Sequence, residues 1–153
     1  METVMVILAT LFGICIGSFL NVCIVRLPKE ESIVYPASHC VNCKHQLKFI
    51  DLIPVLSFVF LKGRCRYCGK KISTRYVLVE LLTGIMAGFT FFWYGFGIEF
   101  FGSFSLIALL IVVSIIDIEY QIIPDELIVA GLGVGIILII YNLFGSISFY
   151  NKP

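Results

Sequence analysis

Charge is what this sequence has least of: Lys, Arg, Asp and Glu make up 14% of its 153 residues, against about a quarter in an average soluble domain. A chain so poor in polar side chains cannot cover a water-facing surface, which excludes a soluble globule and a disordered tail alike. With a formal net charge of only +1, it also lacks the excess of base with which nucleic-acid binders neutralise phosphate. A basic leader is missing too. Met1, Glu2 and Thr3 precede the first apolar run, and its basic residues follow it, which is the wrong order for a cleavable signal peptide. No internal repeat and no low-complexity segment is visible.

What fills the chain instead is apolar: 59% of residues are hydrophobic and the mean hydropathy is +1.03. This is the composition of an integral membrane protein. The few charges are unevenly placed. Of the 11 Lys and Arg, all but Lys152 fall between Arg26 and Arg75, where Glu30, Glu31 and Asp51 are the only acids. One strongly basic segment between apolar stretches marks a cytoplasmic loop.

Four stretches are long and apolar enough to cross a bilayer as helices: about Val4–Val25, Tyr76–Gly97, Phe101–Ile118 and Leu127–Leu143. The expected architecture is therefore an all-α polytopic membrane protein with a small loop domain between its first two helices. With the basic loop in the cytoplasm, the N-terminus lies outside and the third helix returns to the cytoplasmic face. Residues 1–98 form an N-terminal domain and 99–153 the beginning of a second one. Gly13 and Gly17 form a small-xxx-small pair that admits a neighbouring helix closely, and Gly95-Phe96-Gly97 reads as a tight external turn.

Within the loop, Cys40-Val-Asn-Cys43 and Cys65-Arg-Tyr-Cys68 are two CxxC knuckles. Each presents two thiolates to one ion, and together Cys40, Cys43, Cys65 and Cys68 complete a tetrahedral site suited to structural zinc. Thiols stay reduced in the cytoplasm, so disulfides are the weaker reading; a redox CxxC is the other. His39 and His45 flank the first knuckle as alternative ligands. Cys15 and Cys23, about 12 Å apart along the first helix, read as packing residues.

Acids beside a membrane span are costly enough to call for a functional hypothesis. Asp117 ends the long apolar run of the third helix, where partial burial would raise its pKa toward that of a general acid or base; a helix-end acid reaching water is the alternative. Glu119 reads as that solvated kind. Asp125 and Glu126 follow Pro124 as first-turn acids of the next helix. Glu80 either pairs with Arg75 at the membrane surface or lines a polar cavity.

The motifs, taken in order, resemble the bacterial type IV prepilin peptidases. Gly17-Ser18-Phe19-Leu20-Asn21-Val22 with Arg26-Leu27-Pro28, the paired knuckles and Asp51-Leu52-Ile53-Pro54-Val55-Leu56-Ser57 carry the likeness. So do Glu80-Leu81-Leu82-Thr83-Gly84 and Asp117-Ile118-Glu119-Tyr120-Gln121-Ile122-Ile123-Pro124-Asp125. The resemblance implies an inner-membrane aspartyl endopeptidase that removes the basic leader of type IV prepilins and pseudopilins at the cytoplasmic face. It also implies methylation of the new N-terminus from S-adenosylmethionine, with Asn21 and Glu80 as candidate contributors. By the same resemblance Asp117 is the first of two catalytic aspartates. The second, in a Gly-x-Gly-Asp motif, has no counterpart here; Gly131-Leu132-Gly133-Val134-Gly135 has no acid after it. The expectation is a chain cut short of that motif, incomplete as a protease by itself, or working with a separate C-terminal half. A non-catalytic zinc-ribbon membrane protein that binds a partner or anionic lipid is the competing class; it leaves Asp117 unexplained.

Overall fold

The computed structural model describes residues 2–150, with side chains as far as Leu143. The chain folds as an all-helical, multi-pass membrane protein. Helices α1 (Glu2–Arg26), α3 (Arg75–Tyr94), α4 (Ile98–Tyr120) and α5 (Asp125–Tyr150) are the long ones, and a short α2 (Leu56–Phe60) lies in the loop. All four long helices are apolar and long enough to span a bilayer. Their outer faces are as greasy as their inner ones: Val4, Ile7, Leu8, Leu11, Leu78, Ile85 and Leu110 are all exposed. A helix that is hydrophobic all round has lipid as its solvent.

The closest helix pair is α1 with α3, and small residues are the reason. Gly13 and Gly17 face Thr83, Gly84 and Ala87, while Gly84 and Gly88 receive Ile14 and Thr10 in return. A Cβ at Gly17 would lie 2.7 Å from the Glu80 Cα, which leaves no room for one. Lipid gives helices no hydrophobic reason to associate, so backbone proximity and dispersion must hold the pair. The small-xxx-small expectation is met in full. Gly17→Leu is therefore expected to separate α1 from α3 and lower stability by about 1–3 kcal/mol. Thermal unfolding in detergent measures this, with Leu11→Ala on the exposed face as the indifferent comparison.

The α3–α4 turn is Gly95-Phe96-Gly97, as the sequence suggested, with Gly95 at φ 65°. The third span needs correcting. It starts at Ile98 rather than Phe101 and, at 23 residues, is longer than the 20-residue α3. Glu99 in its first turn suits the positive end of the helix dipole, so the helix begins before the apolar run does.

Two apolar clusters bind α4 to the α1–α3 pair. Leu20, Cys23, Ile24, Val79, Ala108, Ile111, Val112 and Ile116 form one; Ala9, Ala87, Phe100 and Phe104 form the other. Cys23 packs as expected, but Cys15 does not: it is exposed on the outer side of α1. Helix α5 packs on α4, where Leu138 fills the notch left by Gly102. Because successive helices run antiparallel, the end of α1, the start of α3, the end of α4 and the start of α5 gather at one end of the bundle. The loop of residues 27–74 sits on that end.

Candidate metal centre and membrane-face carboxylates

Two knuckles of nearly identical backbone build the loop's cysteine cluster. In the first, Cys40 N–H donates to the His45 carbonyl, Lys44 N–H to the Cys40 carbonyl and Leu47 N–H to the Ser38 carbonyl. In the second, Cys65 N–H donates to the Lys70 carbonyl, Gly69 N–H to the Cys65 carbonyl and Ile72 N–H to the Gly63 carbonyl. Single antiparallel bridges close them, His39 with Gln46 and Arg64 with Lys71. Each turn needs a left-handed residue after its second cysteine, supplied by Lys44 (φ 58°) and Gly69 (φ 70°). This is a backbone repeat that the side chains conceal, since the cysteines are almost all the two knuckles share.

The four sulfurs of Cys40, Cys43, Cys65 and Cys68 lie within 4.8 Å of one another, and Cys40 and Cys68 are 3.9 Å apart. Metal–sulfur bonds of about 2.3 Å in a tetrahedron put sulfurs about 3.8 Å apart, so the cluster fits a soft tetrahedral ion. Neither histidine joins it: His39 Nδ1 lies 3.2 Å from the Ala37 carbonyl, and His45 stacks on Tyr67 at 3.7 Å. Cys40 ionises at about 7, because the Cys43 backbone N–H reaches its sulfur; burial opposes this and the Asn42 N–H assists. At Cys68 the Lys70 N–H favours the thiolate, but burial and the sulfurs of Cys65, Cys43 and Cys40 outweigh it and push the thiol up to about 11. A bound divalent cation would replace that mutual repulsion with attraction.

Asp51 braces the second knuckle. Its carboxylate accepts from Arg66 Nε at 2.6 Å, Tyr67 Oη at 3.1 Å and the Lys48 backbone N–H at 3.2 Å, and its side chain is only 4% exposed. Burial alone would raise its pKa, yet the hydrogen bonds from Arg66, Lys48 and Tyr67 hold it below the usual carboxylate value. A group depressed in this way stabilises the fold above its unfolded pKa, about 3.9, and that contribution vanishes as pH falls through the lower folded value. The parent loop should thus resist trypsin better than Asp51→Asn at neutral pH, and the difference should close below about pH 4. Limited proteolysis of both proteins with trypsin at neutral pH and with pepsin below about pH 4 measures it; a pH-independent difference would show that the carboxylate's charge is irrelevant.

The loop is tied to the helices through Arg26 and Glu80, and between these ties one side-chain bond joins α1 to α3. Arg26 is buried and donates to the Ser32 and Pro36 carbonyls at 2.8 and 2.6 Å. Asn21 Nδ2 donates to the Tyr76 carbonyl at 2.9 Å. Glu80, 7% exposed, accepts the Val55 backbone N–H at 2.7 Å. Arg75 does not pair with Glu80: it forms its ion pair with Glu119, which is accordingly not the free solvated acid the sequence suggested. The reason is topological, since antiparallel packing sets the first residue of α3 beside the last turn of α4. Asn21 and Glu80 thus have their polar groups engaged within the chain, with Asn21 Oδ1 the buried acceptor left over.

Asp117 lies in the last turn of α4, where its carbonyl accepts the N–H of Gln121, a left-handed cap at φ 55°. The expected partial burial is absent: Asp117 is exposed, because no described helix covers that side of α4. Asp125 and Glu126 stand in the first turn of α5, also exposed. A four-residue turn, 121–124, joins the two helices, so Asp117 and Asp125 share one corner of the bundle, on the loop's side.

Comparison with known proteins places both halves of the chain. Residues 11–94 match the bacterial peptidase A24 N-terminal domain and residues 104–151 the type IV leader peptidase family. A prepilin leader peptidase/N-methyltransferase of Myxococcus xanthus is 44% identical over 126 residues, covering 82% of this chain and 38% of its own length. Proteins of the same name from Dichelobacter nodosus and Bacillus subtilis are each 37% identical, covering 88% and 78% of this chain and 56% and 48% of their own lengths. The chain therefore spans about half the length, or less, of these curated relatives. No solved structure matches it. With one family model over its cysteine-knuckle loop and first two spans and another over the segment that carries Asp117, the chain belongs to the bacterial A24 peptidases, the type IV leader peptidase family.

Proposed function

We propose that this chain works as the metal-clamped N-terminal part of a membrane aspartyl endopeptidase. Its substrates are type IV prepilins or pseudopilins, whose basic leader it cuts at the cytoplasmic face of the bacterial inner membrane. The observation that carries the reading is the position of Asp117. It stands exposed in the last turn of a membrane-spanning helix, at the same end of the bundle as the basic loop. Positive-inside sorting puts that end in the cytoplasm, where a prepilin leader emerges from the bilayer. Asp117, Asp125 and Glu126 make the α4–α5 corner acidic in a chain whose loop is basic, and a basic leader would be drawn to that corner.

Aspartyl proteolysis needs two carboxyls about one water: one, ionised, takes the water's proton, while the other, protonated, polarises the scissile carbonyl. Asp117 supplies one carboxyl. The second comes from the portion of the relatives that this chain does not span, carried on the same polypeptide or on a separate C-terminal half. Zinc bound by Cys40, Cys43, Cys65 and Cys68 is structural, since four cysteines leave no open coordination position. Methylation of the new N-terminus from S-adenosylmethionine is the second activity in the relatives' names; no residue of this chain is assigned to it.

The test joins the region beyond α5 of the Myxococcus xanthus relative to this chain. The hybrid is co-expressed with a prepilin in a host lacking its own leader peptidase, and the prepilin is followed by gel mobility. Loss of the leader is expected. A leader left intact by a hybrid that is stable in the membrane and retains zinc would overturn the proposal.

A further inference from the structure

The loop's most apolar segment carries side chains that no described residue covers. Phe49 (84% exposed) and Ile50 lie on a short 3-10 turn, and Leu56, Val59 and Phe60 (80% exposed) lie on α2. Water should be a poor solvent for such a patch. Phe58 of the same helix turns the other way, beneath Gly63 in the second knuckle, so α2 has an inner face and a bare outer one.

The hydrogen bond between Val55 and Glu80 sets the depth of this segment. Helix α3 has 20 residues, about 30 Å at 1.5 Å per residue, which matches the hydrocarbon core with nothing to spare. Arg75 and its partner Glu119 mark one boundary, and Trp93 and Tyr94, both exposed, mark the other in the manner of an aromatic belt. Glu80 lies five residues inside the first boundary, about 7.5 Å along the axis. Its carboxylate, on a side chain that tilts back toward the start of α3, holds the Val55 N–H, so the backbone at Val55 is held beside the first turns of α3 near the Arg75 boundary.

The local backbone is shaped for this tie. Val55 has φ 61° and ψ −51°, a region a β-branched residue enters only under constraint. The Leu56 N–H closes back on the Pro54 carbonyl at 2.6 Å, making a tight γ-turn of the strained hand. A buried carboxylate and a strained turn together hold the start of α2 against the α1–α3 pair, with Leu56, Val59 and Phe60 facing outward.

We propose that residues 49–60 form an interfacial membrane element, with Phe49, Ile50, Leu56, Val59 and Phe60 inserted at the acyl-chain boundary beside the spanning helices. Lys48 and Lys62 bracket the segment and reach the anionic headgroups above it, as long basic side chains do at this level. The segment is anchored to α3 through Val55 and Glu80, and its flanking charge complements an anionic leaflet. Two short helical turns suit this level of the bilayer, because their backbone groups are largely paired internally. The proposal rests on the membrane-spanning fold and is independent of the peptidase reading.

The experiment places one tryptophan at a time. Phe60→Trp and, separately, Phe49→Trp are made in a Trp93→Phe background. The full chain, zinc retained, is reconstituted in vesicles of phosphatidylcholine and phosphatidylglycerol. Lipids brominated high on the acyl chain should quench both reporters about as strongly as they quench Trp93 in the parent, and aqueous acrylamide should reach them several-fold less than it reaches free tryptophan. Full acrylamide access with no quenching by brominated lipid would overturn the proposal. Emission that shifts only when an apolar helical peptide is added would overturn it equally, in favour of a peptide-binding face. Retained zinc and unchanged helical circular dichroism separate these outcomes from misfolding.

Discussion

Cys65→Ser is expected to strip the metal from the loop and leave residues 27–74 open to trypsin while the membrane helices stay folded. Cys65 is the buried member of the four, and the knuckle around it has little else to rely on: among the described residues the loop's regular structure is two 3-10 turns, α2 and two isolated bridges. Phe49, Phe60 and Val34 of the loop are exposed and contribute little core. Binding free energy at such a site is folding free energy, on the order of 10 kcal/mol for zinc at neutral pH. That exceeds what Asp51, Arg26 and Glu80 can supply through a few hydrogen bonds worth about 1–3 kcal/mol each. The helices, by contrast, are held by the glycine seam and by lipid. Metal analysis of the purified protein, tryptic mapping and circular dichroism would read the three parts separately. A variant that kept one metal per chain, or a metal-free loop that still resisted trypsin, would show that burial rather than coordination folds this region.

Some of this organisation was legible in the sequence. The four spans follow from hydropathy because lipid enforces helices, and the cysteine cluster follows from the CxxC spacing because two such turns suit one tetrahedral site. The Gly13–Gly17 seam could be read for a similar reason: the absence of a side chain is itself the signal. What the sequence withheld were pairings fixed by tertiary placement. Arg75 has Glu80 within two turns on its own helix, yet it reaches Glu119 across the bundle. Glu80 looked like a surface or cavity acid, and its partner is a backbone N–H in the loop, a donor that every non-proline residue carries and no sequence pattern marks. Asp117 was expected to be partly shielded, and its exposure depends on which neighbours cover the end of α4. The Pro54–Leu56 turn has a proline as its sequence signal, but nothing in a valine announces the positive φ of Val55.

Within the hybrid enzyme, Asp117→Asn is expected to leave the prepilin leader in place, with a loss on the order of ten-thousand-fold. Removing one member of a catalytic group that acts as a unit costs about that much. Asn keeps the size and a hydrogen-bonding oxygen of Asp117 but can neither take the water's proton nor hold one for the carbonyl, so binding and zinc content should not move. Asp125→Asn is the discriminating companion. In the first turn of α5 its charge suits the helix dipole, worth about 0.3–1 kcal/mol, and its loss should lower stability slightly while cleavage continues. The 153-residue chain expressed alone should not remove the leader, because a dyad shares a proton between carboxyls about 3 Å apart in a sheltered site, and Asp117 and Asp125 both stand exposed to water. Leader loss by the chain alone, abolished by either Asp117→Asn or Asp125→Asn, would reverse that argument: the α4–α5 corner would then close on substrate and hold both carboxyls itself. Leader loss abolished by Asp117→Asn alone would point to Asp117 of a second copy. Each outcome assigns the second carboxyl to a different source, and Asp117 is the residue common to all of them.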